Sequence, residues 1–195
     1  MKFKMFILLL LFFTYGNGQN NGTLFFKDGT VKEGFVKFTA FSKIKFKASK
    51  KSKWSKYDFS TFSKIEIMEE GELTTYVEIL ARGNNGPQIV KELVKGKITL
   101  YHLSTVGTSM VMNPATGASS SPSFTSYNIK NLYVKREQEK VATHLGSNQL
   151  FTKNFKKAAS EFFKDCSVLV VKIQQKEFKK RDIEKIVKFY NEECD

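Results

Sequence analysis

The stretch that decides the fold is DCSVLVVKIQQKEFKKRDIEKIVKFYNEEC, residues 165–194. It holds both cysteines of the chain, Cys166 and Cys194, 28 positions apart. Apolar residues recur at helical spacing on either side of a short link at residues 176–179, which predicts two antiparallel helices. Cys166 then begins the first helix and Cys194 ends the second, so we expect these two ends to meet in space.

This arrangement predicts a structural disulfide between Cys166 and Cys194. Two cysteines in a small exported domain are usually bonded, and the cross-link would stabilise the fold by about 3–4 kcal/mol. Free or reactive thiols are the alternative. A metal site would need more ligands than the two histidines supply, and a redox pair is more often closely spaced.

The amino terminus, MKFKMFILLLLFFTYGNGQ, has the three-part layout of a secretory signal peptide. Lys2 and Lys4 form a basic head, residues 5–13 are apolar, and Gly16 and Gly18 favour cleavage after residue 18. The apolar run is about half of the ~20 residues that span a bilayer as a helix. We expect residues 1–18 to be removed and the protein to be periplasmic or secreted. Losing the two lysines would lower the formal net charge from +13 to +11.

Residues 22–135 alternate between apolar and polar positions, with turn signals between the runs. Ile44 and Phe46 alternate with lysines, and Ile65 and Ile67 repeat this pattern. Asp28 with Gly29 predicts a tight hairpin turn, and residues 69–72 predict another. Because one face of each run is polar, the pattern indicates an antiparallel sheet that is covered on one side.

The predicted fold class is α+β. An antiparallel sheet or partly open barrel at about residues 22–135 is followed by a helical segment stapled by one disulfide. Residues 19–135 form the β-rich region, and residues 136–195 form an α-helical region that packs on the sheet.

The segment SKIKFKASKKSKWSK, residues 42–56, carries seven lysines and one tryptophan and has no acidic residue. Lysines neutralise anionic groups while an aromatic ring stacks on a sugar or base, so the segment is a candidate polyanion-binding site. The favoured alternative is a solvated strand face and turn, because charge runs are non-specific and edge lysines discourage aggregation. The candidate residues are Lys43, Lys45, Lys47, Lys50, Lys51, Lys53, Trp54 and Lys56.

Residues 104–126 are rich in Ser, Thr, Gly and Pro, which predicts a long flexible loop. Met110, Met112 and Phe124 within it are candidates for an apolar partner-binding patch. The favoured alternative is a mobile excursion of a hairpin without a partner.

The sequence contains no Gly-rich phosphate loop, nucleophile elbow or metal-binding helix motif. A hydrolytic triad would have to use His102 or His144, and His102 is interpreted as a packed or surface histidine. Scattered carboxylates of the glycosidase type leave no short motif, so they stay open. We therefore predict no catalytic residues, no metal and no cofactor.

The carboxyl-terminal stretch resembles the ending of uncharacterised exported proteins of Bacteroidota. KDGTVKEGFV and LVKGKITLY, earlier in the chain, are similar to the same group. The resemblance implies a bacterial envelope or secreted location and carries no known activity. The matching positions are Asp165, Cys166, Leu169, Lys172, Ile173, Phe178, Asp182, Ile183, Ile186, Val187, Tyr190, Asn191 and Cys194.

The leading hypothesis is an exported, non-catalytic binding or scaffolding module of the envelope. One alternative is a glycan or peptide hydrolase that uses scattered carboxylates. The other is a polyanion-binding adhesin acting through residues 43–56. Candidate partners are an anionic glycan, lipid headgroups or an envelope protein, and nucleic acid is disfavoured because exported proteins seldom meet it.

Overall fold

The computed structural model describes residues 20–39, 43–111, 123–148 and 154–194. This part of the chain contains a ten-stranded sheet followed by three α-helices. The strands are β1 (Asn20–Phe26), β2 (Val31–Phe38), β3 (Lys43–Lys47), β4 (Ser55–Asp58), β5 (Phe62–Glu69), β6 (Glu72–Ala81), β7 (Gln88–Val94), β8 (Ile98–Val111), β9 (Ser123–Arg136) and β10 (Val141–Ser147). The helices are α1 (Phe155–Phe162), α2 (Ser167–Gln174) and α3 (Ile183–Glu193), with 3₁₀ turns at Phe59–Thr61 and Lys180–Asp182.

The strand order is β10-β9-β8-β7-β6-β5-β1-β2-β3-β4, and every neighbouring pair in this order is antiparallel. β10 also pairs in parallel with β6, through Val141 with Leu80 and Ala142 with Ala81. This contact bends β6 to β10 into a ring and leaves the other five strands as an open extension. The prediction of an antiparallel sheet followed by a disulfide-stapled helical segment is confirmed, and the sheet is not a regular barrel.

Two predicted turns are present and have the expected chemistry. Gly29 has a φ of +88°, and the Thr30 amide donates to Asp28 Oδ1 at 2.8 Å. Glu70 and Gly71 have φ angles of +51° and +87° between β5 and β6. Two successive residues in this left-handed region match the right-handed twist of a hairpin.

The open extension has an apolar core of its own. The alternating residues predicted to face inward, Ile44, Phe46, Ile65 and Ile67, are all buried. The turn at Phe59–Thr61 adds Phe59, which is fully buried against the same cluster. The extension therefore has a core separate from the one beneath the helices.

The three helices cover one face of β8, β9 and β10. Ile183, Ile186, Val187 and Tyr190 form the buried stripe of α3, as their spacing predicts. From the sheet, Ile98, Leu100, Val134 and Leu145 complete this second core. Among the helices in the described ranges, none has the length and apolar character needed to cross a bilayer.

The predicted disulfide joins Cys166 and Cys194, whose Cα atoms lie 5.7 Å apart. Cys166 is the N-cap of α2 and Cys194 is the C-cap of α3, so the covalent bond pins the two helix ends that we expected to meet. Both cysteines are buried.

Arg136, at the end of β9, links the sheet to the helical region through hydrogen bonds. Its Nη2 donates to the carbonyl oxygen of Phe162 at 2.7 Å and to both carboxylate oxygens of Asp165 at 3.0 Å. The guanidinium also lies 4.3 Å from the centre of the Phe162 ring. Tyr190 donates its hydroxyl to Asp165 at 2.6 Å, which ties α3 into the same joint.

Two of the predicted boundaries are wrong. Residues 104–111 and 123–126 belong to β8 and β9, which pair without interruption from Ile98 with Arg136 to Val111 with Ser123. The Ser- and Thr-rich backbone satisfies its hydrogen bonds in this ladder, and the Tyr127 ring covers the glycine opposite it, Gly107. The region 136–195 is likewise not all helical, because Val141–Ser147 forms β10. Residues 112–122 lie outside the described part of the chain.

Candidate functional site

The basic segment folds into the last hairpin of the sheet, made by β3, a turn and β4. Ile44 and Phe46 enter the core of the extension, so the lysines between them point to the opposite face. In the turn, Lys50, Lys51 and Lys53 are exposed. The hairpin therefore presents its charge to solvent, and the structure divides the predicted residues into two groups.

Two of the candidate lysines are engaged within the protein. Lys43 Nζ lies 2.7 Å from Asp58 Oδ2, and this bond, followed by those from Ser60, lowers the pKa of Asp58 to about 2. Lys47 is only 8% exposed. Its ammonium lies 5.4 Å from the ring centre of Phe35 and 4.8 Å from that of Trp54. Lys43 and Lys47 therefore make their contacts within the hairpin, and their assignment to an anion-binding site stays a prediction.

The remaining strand lysines form a row across three neighbouring strands. Lys45 is directly opposite Lys37 of β2 on one side and Lys56 of β4 on the other. Adjacent strands are about 4.8 Å apart, so the backbone positions of the three lysines span about 10 Å across the sheet. Like charges placed directly opposite are destabilising, and none of the three lysines has an ion pair within the described ranges.

We call this surface the lysine face. Trp54 stands at one side of the row, with 36% of its surface exposed. Its indole packs against Lys47 on one side, and the exposed part of its surface faces solvent. The lysine face comprises Lys37, Lys45, Lys56, Lys50, Lys51, Lys53 and Trp54.

Lys37 was missed by sequence reasoning. The signal that could have found it is its position between the inward-facing Val36 and the cleft-lining Phe38, which directs its side chain to the outer face. The row itself could not be found, because it requires the registers of β2 with β3 and of β3 with β4.

The second predicted site, the apolar patch of Met110, Met112 and Phe124, is only partly within the described residues. Met110 and Phe124 are opposite each other in the backbone ladder of β8 and β9. Met112 lies outside the described ranges, so this patch stays a prediction.

The two histidines face opposite sides of the sheet. The His144 ring packs 5.1 Å from that of Tyr133, with which it is in register, and Tyr133 belongs to the small core inside the ring of strands. His102 follows Tyr101, another member of that core, and so points the other way. A catalytic arrangement that uses both histidines is therefore not formed. Among the described residues, no group of three or more His, Cys, Asp or Glu is arranged to hold a metal ion.

The carboxylates that come closest to a shared cavity lie around Arg136. A cavity of about 780 Å³ between β9 and α1 is lined by Glu139, Glu161 and Asp165 among others. Arg136 bonds Glu139 as well as Asp165. Burial works to raise the pKa of Asp165, but hydrogen bonds from Tyr190 and Arg136 outweigh it and leave the pKa below its ordinary value. A general acid requires a raised pKa, so Asp165 is shifted in the wrong direction for that role.

The chain was compared with protein-family models, with curated proteins and with solved structures, and no significant similarity was found to any of them. The class that the fold and the disulfide define is a disulfide-bonded α+β protein with a predominantly antiparallel sheet. The disulfide indicates that the chain folds in a non-reducing environment.

Proposed function

We propose that this protein is an exported, non-catalytic binding module that holds an anionic polysaccharide on the lysine face. The signal-peptide pattern of residues 1–18 supports export, and the resemblance to exported proteins of Bacteroidota supports a place in the bacterial envelope. The disulfide is consistent with both, because such bonds persist in oxidising compartments.

The observation that carries the proposal is the row of Lys37, Lys45 and Lys56. A solvated strand face has no need to place three like charges directly opposite one another, and this arrangement costs free energy in the isolated protein. An anionic polymer lying across the strands would remove that cost, since its charged groups would neutralise the lysines in succession. The exposed lysines of the adjacent turn would extend the contact.

A polysaccharide fits this surface better than a lipid headgroup does. The row lies on a sheet face and not in a closed pocket, so it suits an extended ligand. Trp54 adds an exposed aromatic surface beside the cations, and such a ring stacks on the apolar face of a sugar.

The test is binding of the purified mature protein to heparin and to polygalacturonate, which carry sulfate and carboxylate groups. Affinity should fall steeply as salt is added, because binding releases the counterions of the polymer. The triple variant Lys37→Gln, Lys45→Gln, Lys56→Gln should lose about tenfold or more in affinity. Neutral dextran should not bind.

The matched control removes three exposed lysines elsewhere: Lys140, Lys164 and Lys185. This variant has the same net charge as the first, so general electrostatic attraction would weaken both variants equally. Equal losses, or retention that does not change with salt, would contradict the proposal. Binding to anionic lipid vesicles but to neither polysaccharide would reject the ligand class.

The hydrolase hypothesis is the second candidate, and the cavity beside Arg136 is where it would have to act. Two of its three carboxylates are bonded to the Arg136 guanidinium, which leaves Glu161 without a matched partner for a two-carboxylate mechanism. Glycosidase activity in the wild-type protein that is lost in a Glu161→Gln variant would support this hypothesis. A hydrolase would also need no lysine row.

A further inference from the structure

A second surface lies on the face of the sheet opposite the lysine face, in the cleft between the core of the extension and the core beneath the helices. Tyr76, Lys91, His102 and Leu132 are in register across β6, β7, β8 and β9. Two cavities meet at His102, which lines both of them. The one toward β5 has a volume of about 390 Å³, and the one beneath the start of α3 has about 480 Å³.

His102 has an unmet hydrogen-bonding capacity in this cleft. Its Nε2 is buried and has no hydrogen-bond partner within the described residues. A buried polar atom left unbonded costs free energy, so such an atom beside a cavity points to a bound group. Burial, followed by the nearby Lys130 and Lys91, lowers the pKa of His102 below its ordinary value, which favours the neutral ring.

The cavity beneath α3 combines cationic groups with an apolar wall. Lys130 of β9 and Arg181 of the 3₁₀ turn are exposed at its rim, and no carboxylate is among the residues that line it. The apolar wall consists of Leu93, Leu132 and Ile183. A cavity of this size and mixed character is typical of a site for a small organic molecule.

The wall is shaped by an irregularity in β7. The register of β7 with β8 shifts between Glu92 and Val94, so Leu93 is an extra residue outside the ladder. In a regular strand, successive side chains point to alternate faces of the sheet, and a bulge changes the direction of the extra side chain. Bulges are frequent beside binding sites. Leu93 remains 36% exposed on the cavity.

The neighbouring cavity does not offer the same chemistry. Its carboxylate, Glu69, accepts from the Tyr76 hydroxyl at 2.9 and 3.0 Å, and Lys91 lies 3.7 Å away. The charges of Glu69 and Lys91 therefore offset each other. The positive charge left without a carboxylate lies on the other side of His102, in the cavity beneath α3.

We infer that the cavity beneath α3 binds a small organic anion, namely a carboxylate carried on a short apolar chain. The carboxylate is held between Lys130 and Arg181, whose planar guanidinium suits two parallel hydrogen bonds to such a group. The Nε2–H tautomer of His102 donates a third hydrogen bond once a small rotation of the ring brings Nε2, which is buried in this structure, to the surface of the cavity. The apolar chain lies along Leu93, Leu132 and Ile183. This site and the lysine face are on opposite sides of the sheet, so a failure of one binding test would not contradict the other proposal.

The test uses octanoate as the probe and the two histidines as reporters. Octanoate should shift the imidazole nitrogen resonances of His102 and leave those of His144 unchanged, since His144 faces the other side of the sheet. Inorganic phosphate lacks the apolar chain and octanol lacks the charge, so each should bind at least about tenfold more weakly than octanoate in calorimetric titrations.

Two variants at exposed positions test the cationic pair without disturbing the core. Lys130→Gln and Arg181→Gln should each weaken octanoate binding by about tenfold, while Lys185→Gln, an exposed change on α3, should leave it unaltered. Unchanged His102 resonances at saturating octanoate would overturn the inference. So would equal affinities of the wild-type protein and of both cavity variants.

Discussion

The side chain of Asn191 bonds both backbone groups of Ile98, although the two residues are 93 positions apart in the chain. Asn191 Oδ1 accepts from the Ile98 amide at 2.8 Å, and its Nδ2 donates to the Ile98 carbonyl at 2.9 Å. The amide thus substitutes for a neighbouring strand at the start of β8. It also fixes α3 against the sheet, beside the disulfide.

Asn191→Ala should destabilise the protein by about 1–3 kcal/mol, because it leaves an amide and a carbonyl of the Ile98 backbone without partners. The measurement is the free energy of unfolding in urea. Glu192→Ala, at the exposed neighbouring position, is the control and should change little. Equal stability of the Asn191→Ala variant and the wild-type protein would show that solvent replaces both bonds.

Gly96→Ala should lower the free energy of unfolding by an amount that depends on whether Asn191 is present. A Cβ at Gly96 would lie 2.5 Å from Asn191 Nδ2, so the amide would have to move away from Ile98. We expect Gly96→Ala to be destabilising in the wild-type protein and nearly neutral in the Asn191→Ala background. A double-mutant cycle should give a coupling energy of about 0.5–3 kcal/mol. Additive effects would contradict this mechanism.

The double variant Cys166→Ala, Cys194→Ala should lose about 3–4 kcal/mol of stability, because the open chain gains conformational entropy when unfolded. Reduction of the wild-type protein should have a similar effect. Intact-mass analysis after alkylation should find no free thiol in the folded, unreduced protein. Two alkylated thiols in that sample would contradict the disulfide.

Asp165 should make stability depend on pH below about pH 5. Its pKa is lower in the folded protein than in the unfolded chain, because Tyr190 and Arg136 stabilise the charged form against the effect of burial. The contribution is therefore present above the unfolded pKa of about 3.9 and is lost as the pH falls through the folded pKa. Asp165→Asn should be less stable at pH 7 and should show a flatter decline below pH 5.

The control for this prediction is Glu161→Gln. Glu161 lines the same cavity as Asp165, but its carboxylate forms no ion pair with Arg136. This variant should retain the wild-type decline between pH 5 and pH 3. If Asp165→Asn also retained it, the joint with Arg136 would contribute nothing to the acid sensitivity of the fold.

Lys45→Gln should stabilise the isolated protein while it weakens polysaccharide binding. Lys45 is opposite a lysine on each side, so its removal relieves two like-charge contacts, each worth up to about 1 kcal/mol. The gain should be largest at about 0.01 M salt and absent at about 1 M, where screening is nearly complete. Urea titrations at the two salt concentrations measure it. A loss of stability at low salt would show that the row is not repulsive.

Local sequence patterns determined much of this structure. The alternation of Ile44 and Phe46 with lysines placed them in a core, and the pair Asp28 and Gly29 specified a hairpin turn. The helical spacing around Cys166 and Cys194 predicted both the antiparallel helices and the bond between them. These features depend on neighbours within a few residues or on a single short link, so the chain encodes them locally.

Other features were decided only by tertiary structure. Residues 104–111 have a composition typical of a loop, and they are a strand because a long partner is available to pair with them. The lysine row depends on two strand registers, and the cleft at His102 exists because two separate apolar cores leave a gap between them. The physical reason is the same in each case: strand pairing brings together residues that no local pattern relates, so their mutual distances follow from the whole fold.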